Sequence, residues 1–326
     1  MLVRAMPGAE PIAIDCSDGV RLGGHWWTAS RRPVHGTVII NAATGVAARY
    51  YHPYAAFLAG HGFDVLTYDY RGIGLSRPPT LRGCTYRWRD WGELDFDAAV
   101  RLALALDPHG PLLVVGHSIG GFLPGLAASA PHVSRMLTIG AQYGYCGDYA
   151  RNHRGRLFLK WHVAMPVMTA LCGFFPGKRL GWLEDLPAGV ALEWSFRRAS
   201  VELSWPAAVR AGPLGRLAAV TAPILAVTTS DDPFATPAAI RRALSCYRAA
   251  KAIAILLKPA DLGVAALGHF GLFNASHASG FWLDTLMWLR DGTNPWPDKL
   301  LPDEPDPSDK KAGLPWPQRP DIVRYY

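Results

Sequence analysis

A serine flanked by glycines is the residue of this sequence best placed to do chemistry. Ser118 lies in "GHSIG" (116–120), directly after the apolar run "LLVV" and directly before a second apolar stretch. A G-x-S-x-G sequence between a strand and a helix forms a tight turn that exposes the serine oxygen at the edge of a sheet. Glycines are needed in this turn because a Cβ atom there would strike the neighbouring strand or helix. The pattern predicts that Ser118 is a nucleophile.

A serine hydroxyl is a weak nucleophile at neutral pH, so it requires a general base, and the base requires an acid that orients it. His269 in "LGHFGLFN" is the candidate base, because it lies between the last predicted strand and the last predicted helix. The acid is expected after the strand "PILAVTTS", where Asp231 and Asp232 follow each other, and Asp261 is a more distant alternative. The order serine, aspartate, histidine is typical of hydrolases with this turn.

Strand-like and helix-like segments alternate along most of the chain and would position these side chains. Eight segments have strand character: "PIAID", "RLGGHWW", "TVIIN", "FDVLTYD", "LLVV", "RMLTIGA", "PILAVTTS" and "AIAILLKP". The first two predict an antiparallel pair joined at "SDG". The later ones are apolar on both faces, which predicts an α/β fold with a mostly parallel, eight-stranded sheet and helices on both sides.

The alternation stops after Gln142, and it resumes with "PILAVTTS" (223–230). Residues 143–213 are rich in Arg, Trp, Phe and Pro, which predicts a helical cap inserted into a core of residues 1–142 and 214–291. The cap would decide specificity. Its aromatic residues would either line an apolar pocket or seal the cap onto the core. Its arginines would either attract an anionic substrate or be solvated; they are Arg151, Arg154, Arg156, Arg197 and Arg198.

Composition and the remaining motifs exclude several classes of function. The net charge is +7 over 326 residues without one long basic run, so nucleic acid is not an expected partner. The five cysteines include no close pair, which predicts no metal site and reduced thiols in a cytoplasmic protein. "DYRGIGLS" lacks the ending of a nucleotide loop and predicts a structural turn, so no cofactor is expected.

The two ends of the chain and one apolar run bear on membranes and assembly. The first residues lack the continuous apolar region of a signal peptide. The run at 157–175 contains Lys160, His162 and Pro166, so it is interpreted as part of an apolar lid and not as an integral membrane segment. Residues 292–326 are too rich in proline for regular structure, which predicts an arm anchored by Trp296, Trp316 and Tyr325 or, as the alternative, a disordered tail. An arm could also join two copies of the chain as a homo-oligomer.

Four motifs together resemble the α/β-hydrolase superfamily over residues 10–291: "DYRGIGLS", "GHSIGG", "SDDPFA" and "GHFGLF". The loop "AATGV" and cap segments such as "GAQYGY" are similar to a bacterial subfamily labelled serine aminopeptidase-like. The resemblance implies that Ser118 is the nucleophile, His269 the base, and Asp232, nine residues after Pro223, the acid. Asp231 remains the alternative acid.

The same resemblance implies an oxyanion hole made by two backbone N–H groups. Ile119 would supply one, and Ala43, with Thr44 close behind it, would supply the other. This sequence departs from the superfamily at "NA" (41–42), where His-Gly is usual, and at Pro124, which is expected to bend the helix behind the serine. The candidate substrate-pocket residues are Thr44, His117, Tyr143, Trp161 and Trp194, although the His117 side chain is expected to point away from the direction of attack.

The resemblance implies a serine hydrolase that works through an acyl-enzyme on a small-molecule substrate. A carboxylesterase acting on a small to medium apolar acyl group is the leading interpretation. A thioesterase, an amidase or peptidase, and an acyltransferase would use the same triad, and the fold also hosts carbon–carbon bond cleavage and perhydrolysis. An inert, hydrolase-like binding scaffold is the alternative from another class.

Overall fold

The computed structural model describes residues 8–302, in which one large sheet forms the centre. Eight strands build this sheet in the order β1-β2-β4-β3-β5-β6-β9-β10, and β7 pairs with β8 in a separate ribbon. The predicted eight-stranded sheet is therefore confirmed. The strand bounds are β1 Ala9–Asp15, β2 Arg21–Trp27, β3 Thr37–Asn41, β4 Asp64–Tyr68, β5 Leu112–His117, β6 Val133–Ile139, β7 Phe174–Phe175, β8 Leu186–Pro187, β9 Ile224–Thr229 and β10 Ala252–Leu257.

The sheet is parallel except at one side, as its composition predicts. Strands β4, β3, β5, β6, β9 and β10 run parallel to one another. Strand β2 is antiparallel to both β1 and β4, which confirms the predicted opening pair. Every residue of β3 and of β5 is buried, because helices cover both faces of a parallel sheet. The carboxyl ends of these central strands therefore point at one common edge.

Helices follow the strands in the predicted alternation. Tyr54 of α1 and Thr285 of α11 are joined by a hydrogen bond of 2.7 Å, and Trp288 Nε1 of α11 donates to the carbonyl of Met136 in β6. These contacts fix two helices from opposite ends of the chain beside the sheet. The helix bounds are α1 His52–Gly60, α2 Trp88–Asp90, α3 Asp97–Leu106, α4 Ile119–Phe122, α5 Arg151–Phe158, α6 Met165–Cys172, α7 Gly177–Leu180, α8 Ala188–Ser195, α9 Ala211–Ala219, α10 Pro237–Leu244 and α11 Phe281–Asp291.

The helix behind the nucleophile turn is shorter than an uninterrupted helix would be. After the four residues of α4 the chain continues as a 3₁₀ turn over Leu123–Leu126. Pro124 has no N–H group and cannot continue an α-helix. Tyr247 stabilises the break, because its hydroxyl donates to the carbonyl of Phe122 at 2.7 Å and accepts from the Gly125 N–H at 3.1 Å. A bend was expected at Pro124, and the structure shows that the α-helix ends before this residue instead.

Residues 143–213 add no strand to the main sheet and contain α5 to α8, the β7–β8 ribbon and the start of α9. The predicted boundary at residue 213 falls inside α9, which spans Ala211–Ala219. The apolar run at 157–175 covers the end of α5, a π-helical turn at Leu159–Ala164, α6 and β7. Gly173, with a φ of 75°, caps the end of α6. Across residues 8–302 no helix is long and apolar enough to cross a membrane.

The beginning of the predicted arm contacts the core. The Trp296 ring stacks on Phe281 with 5.3 Å between ring centroids, and the Leu301 N–H donates to the carbonyl of Ala254 at 2.8 Å, on the edge strand β10. Trp316 and Tyr325 lie outside the described residues. The division of the chain into core, cap and arm stays a prediction.

"DYRGIGLS" forms a structural turn after β4. The Arg71 guanidinium is buried and donates from Nε to Asp95 Oδ1 at 2.6 Å and from Nη1 to Asp18 Oδ2 at 2.7 Å. The Asp69 carboxylate accepts hydrogen bonds from the N–H groups of Ala48 and Leu75 at 2.7 and 2.8 Å. The charged residues of this motif therefore hold neighbouring loops in place.

Candidate active site

Ser118 occupies a strained turn between β5 and α4. Its φ of 55° and ψ of −127° make it the one non-glycine residue with a positive φ among residues 8–302. Such a conformation costs on the order of 1–3 kcal/mol and persists only where the surroundings enforce it. Here the Ser118 N–H donates to the carbonyl of Ile139 at the end of β6, at 3.0 Å. The geometry agrees with the predicted turn.

The glycines around Ser118 are required by close backbone contacts. A Cβ atom on Gly116 would lie 2.4 Å from the Cα of Gly121, and a Cβ on Gly121 would lie 2.5 Å from the Cβ of Ala141. A Cβ on Gly120 would lie 2.4 Å from the carbonyl oxygen of Asn41. These distances are far below van der Waals contact, so any side chain would force the turn open. The steric reason given for the motif is confirmed.

His269 and Asp232 form a buried pair at the same edge of the sheet. His269 Nδ1 lies 2.7 Å from Asp232 Oδ2, and the Asp232 Oδ1 atom accepts from the N–H groups of Phe234 and Ala235 at 2.8 and 2.9 Å. Burial raises the pKa of Asp232, but the charge and hydrogen bond of His269 and the two N–H groups outweigh it and lower the pKa overall. The carboxylate therefore keeps the proton of His269 on Nδ1, which leaves Nε2 free to accept another.

Asp231 has a different environment from its neighbour. Its Oδ2 atom accepts hydrogen bonds from the N–H groups of Leu267 and Gly268 at 2.8 and 3.0 Å. It therefore holds the loop that carries His269, whereas the imidazole is bonded to Asp232. Between the two candidate acids, the geometry brings Asp232 to His269.

His117 does not line the cavity, so its prediction as a pocket residue is wrong. It bonds instead to the backbone of the loop that carries His269. Its ring is fully buried, because the residue before Ser118 in this turn points into the core. Nε2 donates to the carbonyl of His269 at 2.8 Å, so Nδ1 accepts the hydroxyl of Tyr51 at 2.7 Å. Burial, followed by the nearby His269, lowers the pKa of His117 to about 3.

The predicted oxyanion donor Ala43 is wrong for this conformation. Its N–H donates to the hydroxyl of Tyr51 at 2.9 Å and is not free to bind an oxyanion. Thr44, the next residue, lines the cavity with Ser118 and Ile119. Ile119 is the first residue of α4, where an N–H has no partner within the helix.

Gln142 is a site residue that the motif analysis does not identify. Its Nε2 atom donates to Ser118 Oγ at 3.2 Å, and no hydrogen bond joins Ser118 to His269 in the part of the chain that the structure describes. Gln142 follows β6, the neighbour of β5, and its position at the carboxyl end of that strand was the signal that could have identified it. The hydroxyl thus has an amide donor on one side.

One cavity of ≈ 1130 Å³ brings these groups together and contains Ser118, Ile119, Gln142 and His269 in its wall. The candidate residues Thr44, Trp161 and Trp194 also line it. Tyr143 does not line it, because its buried ring packs against Arg197 and its hydroxyl bonds to Ser204. In the described region, no group of three or more His, Cys, Asp or Glu side chains could hold a metal ion.

Comparisons with known proteins agree with this architecture. A family model described as "Serine aminopeptidase, S33" matches residues 32–163, the part that contains the nucleophile turn. No curated protein sequence matches the chain at a significant level.

Three solved structures illustrate the likeness in fold. An esterase from Pyrococcus furiosus is 17% identical, with 88% of this chain and 96% of that chain covered and a TM-score of 0.55. A soluble variant of monoglyceride lipase from Saccharomyces cerevisiae is 14% identical, with 88% and 97% covered and a TM-score of 0.63. The esterase domain of a Rhodothermus marinus protein is 17% identical, with 86% and 98% covered and a TM-score of 0.55. The resemblance predicted from the sequence is confirmed.

Proposed function

The chain has the α/β-hydrolase fold, and from this premise we propose that it is a serine hydrolase acting through an acyl-enzyme, with carboxylic esters as its substrates. One observation carries the proposal. A serine in a strained turn and a histidine bonded to a buried carboxylate line the same cavity, at the carboxyl edge of a parallel sheet. The esterases and the lipase named above share this fold, which supports an ester-cleaving chemistry.

In the first half-reaction, His269 Nε2 removes the proton of Ser118 Oγ while Oγ attacks the carbonyl carbon of the ester. Asp232 stabilises the imidazolium that forms. When the tetrahedral intermediate collapses, the carbon–oxygen bond to the alcohol breaks, and the leaving oxygen takes the proton from His269. Water then enters, loses a proton to His269 and attacks the acyl-enzyme. The acid is released and Ser118 recovers its proton.

Two donors are proposed for the oxyanion. The Ile119 N–H lies at the start of α4, where the helix dipole favours negative charge. The second is the Gln142 side-chain amide, because its Nε2 atom is already within 3.2 Å of the reacting oxygen. Each donor of this kind contributes roughly 10²–10³ in rate where it has been removed from other hydrolases. A side-chain donor would take the place of Ala43, whose N–H is bonded to Tyr51.

A fluorophosphonate probe and a panel of esters test the proposal. We expect the probe to label the wild-type protein at Ser118 and to leave Ser118→Ala unlabelled. We also expect ester turnover to fall on the order of a million-fold in that variant, as in subtilisin. Ser134→Ala, an exposed serine on β6, is the matched control and should behave as wild type.

The same measurements separate the proposal from its alternatives. An inert scaffold would remain unlabelled and would hydrolyse no ester, thioester or amide. Near-normal ester hydrolysis by Ser118→Ala would contradict the acyl-enzyme. A wild-type preference for thioesters or amides over esters of the same acyl group would keep the mechanism and replace the substrate class.

A further inference from the structure

The cavity wall carries an excess of positive charge. Four cationic side chains line it, Arg49, Arg156, Lys160 and Arg197, against the single carboxylate of Glu184. Arg49 is paired with Glu184 at 2.9 Å. Within residues 8–302, no carboxylate forms an ion pair with the other three cations. The cavity therefore presents unneutralised positive charge to whatever enters it.

Among these cations, Arg197 is the one whose burial contributes least to the stability of the fold. It is 8% exposed, and its Nε atom is buried without a hydrogen-bond partner. Nη1 donates to the carbonyl of Tyr143, and the guanidinium carbon lies 4.4 Å from the centroid of the Trp88 ring. Glu193, a carboxylate that acts on it at longer range, is already bonded to Arg89 at 2.6 Å. A buried charge without a carboxylate partner destabilises a fold, and an anion bound where Arg197 lines the cavity would offset that cost.

Arg197 is connected to the nucleophile by the short segment that follows β6. Gln142 donates to Ser118 Oγ at 3.2 Å, and the next residue, Tyr143, accepts from Arg197. A Cβ on Gly144 would lie 2.7 Å from Arg197 Nη1, so the glycine leaves room for the guanidinium at the cavity wall. Arg197 and Ser118 are thus linked through two hydrogen bonds and the backbone of Gln142 and Tyr143, and both line the same cavity. An anion bound by Arg197 and an ester bound at Ser118 would therefore share this cavity.

Arg156 and Lys160 continue the positive charge toward the solvent. They are four residues apart on one helical stretch, and Arg156 is exposed while Lys160 is half-buried. Lys160 Nζ lies 4.4 Å from the ring centroids of both Trp161 and Trp182. Burial, and then the charge of Arg156, lower the pKa of Lys160. Like charges at this spacing destabilise a helix, so helix stability does not account for the pair, whereas steering of an anionic ligand does.

We infer that the substrate is an ester whose acyl chain carries a carboxylate, the half-ester of a short dicarboxylic acid, with the carboxylate bound by Arg197. This inference rests on the proposed function. Arginine suits the role because its guanidinium stays charged when buried and donates charge-assisted hydrogen bonds to a carboxylate. Arg156 and Lys160 attract the ligand into the cavity, and the tryptophans contact the methylene groups. The aromatic side chains and the cations would thus bind the apolar part and the carboxylate of the same acyl group.

Two para-nitrophenyl esters of similar length test the inference, the glutarate half-ester and the neutral hexanoate. We expect wild type to have the higher kcat/KM for the glutarate. In Arg197→Met the ratio of the two kcat/KM values should fall about ten- to hundredfold, the range for a hydrogen bond to a charged group. The matched control is Arg198→Met, which removes an exposed arginine that does not line the cavity and should keep the wild-type ratio.

Glutarate binding to Ser118→Ala, measured by calorimetry, tests the site without turnover and without any change at Arg197. Saturable binding that weakens with salt supports the inference. If wild type prefers the hexanoate and glutarate does not bind, the inference is overturned. Labelling of Ser118 by the fluorophosphonate in that case would leave the proposed function standing. Glutarate binding without labelling supports the anion site and overturns the proposed function. Should Arg197→Met not fold, the wild-type preference and this binding measurement decide alone.

Discussion

At the residue scale, two adjacent aspartates illustrate how one position along the chain separates two roles. Asp232 bonds to the imidazole of His269, whereas Asp231 accepts the N–H groups of Leu267 and Gly268 in the loop that carries that histidine. Both carboxylates have lowered pKa values, although burial acts in the opposite direction on each. Their chemical types are identical, so the sequence alone left both open as the acid. The partners in the fold distinguish them.

Asp232→Asn is expected to lower kcat/KM for a para-nitrophenyl ester about 10⁴-fold at pH 7, because an amide no longer fixes the imidazole tautomer that accepts the serine proton. Asp231→Asn is the matched control. Its remaining amide oxygen can still accept from the two N–H groups, so we expect a loss below about tenfold. Steady-state kinetics of the two purified variants measure this. Equal losses in both variants would contradict the separate roles.

At this scale the sequence is informative where chemistry imposes a local pattern. A glycine-bounded turn and a histidine in the last loop point to Ser118 and His269, and the structure places both in the wall of one cavity. Gln142 and Tyr51 were missed, because their roles depend on contacts with residues 24 and 66 positions away along the chain. The Ala43 assignment failed for the same reason, since no local pattern shows that the Tyr51 hydroxyl occupies its N–H.

At the scale of elements, the turn after β4 combines a structural arginine with two carboxylates of unequal burial. The Asp95 side chain is fully buried, and burial raises its pKa to about 7 despite the opposing charge of Arg71. The Asp18 side chain is 35% exposed and bonds to the other end of the same guanidinium. The pair Arg71–Asp95 therefore ties this turn to the helical segment that contains Asp95.

Removal of the buried partner should destabilise the fold more than removal of the exposed one. We expect Asp95→Ala to lower the free energy of unfolding by about 3–5 kcal/mol, because Arg71 would lose its buried counter-charge. Asp18→Ala should lower it by about 1 kcal/mol or less, because solvent screens that end of the guanidinium. Urea unfolding followed by circular dichroism measures both values. A larger loss for Asp18→Ala would show that the solvent-facing bond dominates.

The strands and helices were largely predictable from the sequence, but the residues at which some of them end were not. Buried parallel strands such as β3 are continuous apolar runs, so "TVIIN" coincides with the observed Thr37–Asn41. The helix after Ser118 was expected to bend at Pro124, but it ends after four residues. Pro124 cannot continue it, and the hydroxyl of Tyr247, distant in sequence, bonds to the backbone groups at the break. The predicted cap boundary fell inside α9, because the composition changes there while the helix continues.

At the scale of the whole molecule, His117 joins three separate parts of the chain. Its ring accepts the hydroxyl of Tyr51 from the segment before α1 and donates to the carbonyl of His269 in the loop before α11. It also packs against the rings of His269 and Phe273, at centroid distances of 4.8 and 5.0 Å. A second proton on this ring would displace the hydroxyl of Tyr51 and place a charge in the core. The neutral ring is therefore part of the folded state.

This neutral ring should make global stability depend on pH. Burial lowers the pKa of His117 to about 3 in the folded state, while an unfolded histidine titrates near 6.5. Below pH 6.5 the unfolded chain binds more protons at this site than the folded chain, so the free energy of unfolding decreases as the pH falls. Between pH 7.5 and pH 5 this single group should remove about 2 kcal/mol, and the decrease should continue down to about pH 3.

His117→Gln isolates this contribution, because the other histidines with lowered pKa values are unchanged in it: His25, His52, His162 and His277. The variant should be less stable than wild type at pH 7.5, since glutamine cannot reproduce both hydrogen bonds, and the gap should narrow by about 2 kcal/mol at pH 5. Urea unfolding of both proteins at the two pH values gives the four free energies required. A gap of the same size at both pH values would mean that the His117 ring is protonated in the folded protein as readily as in the unfolded chain.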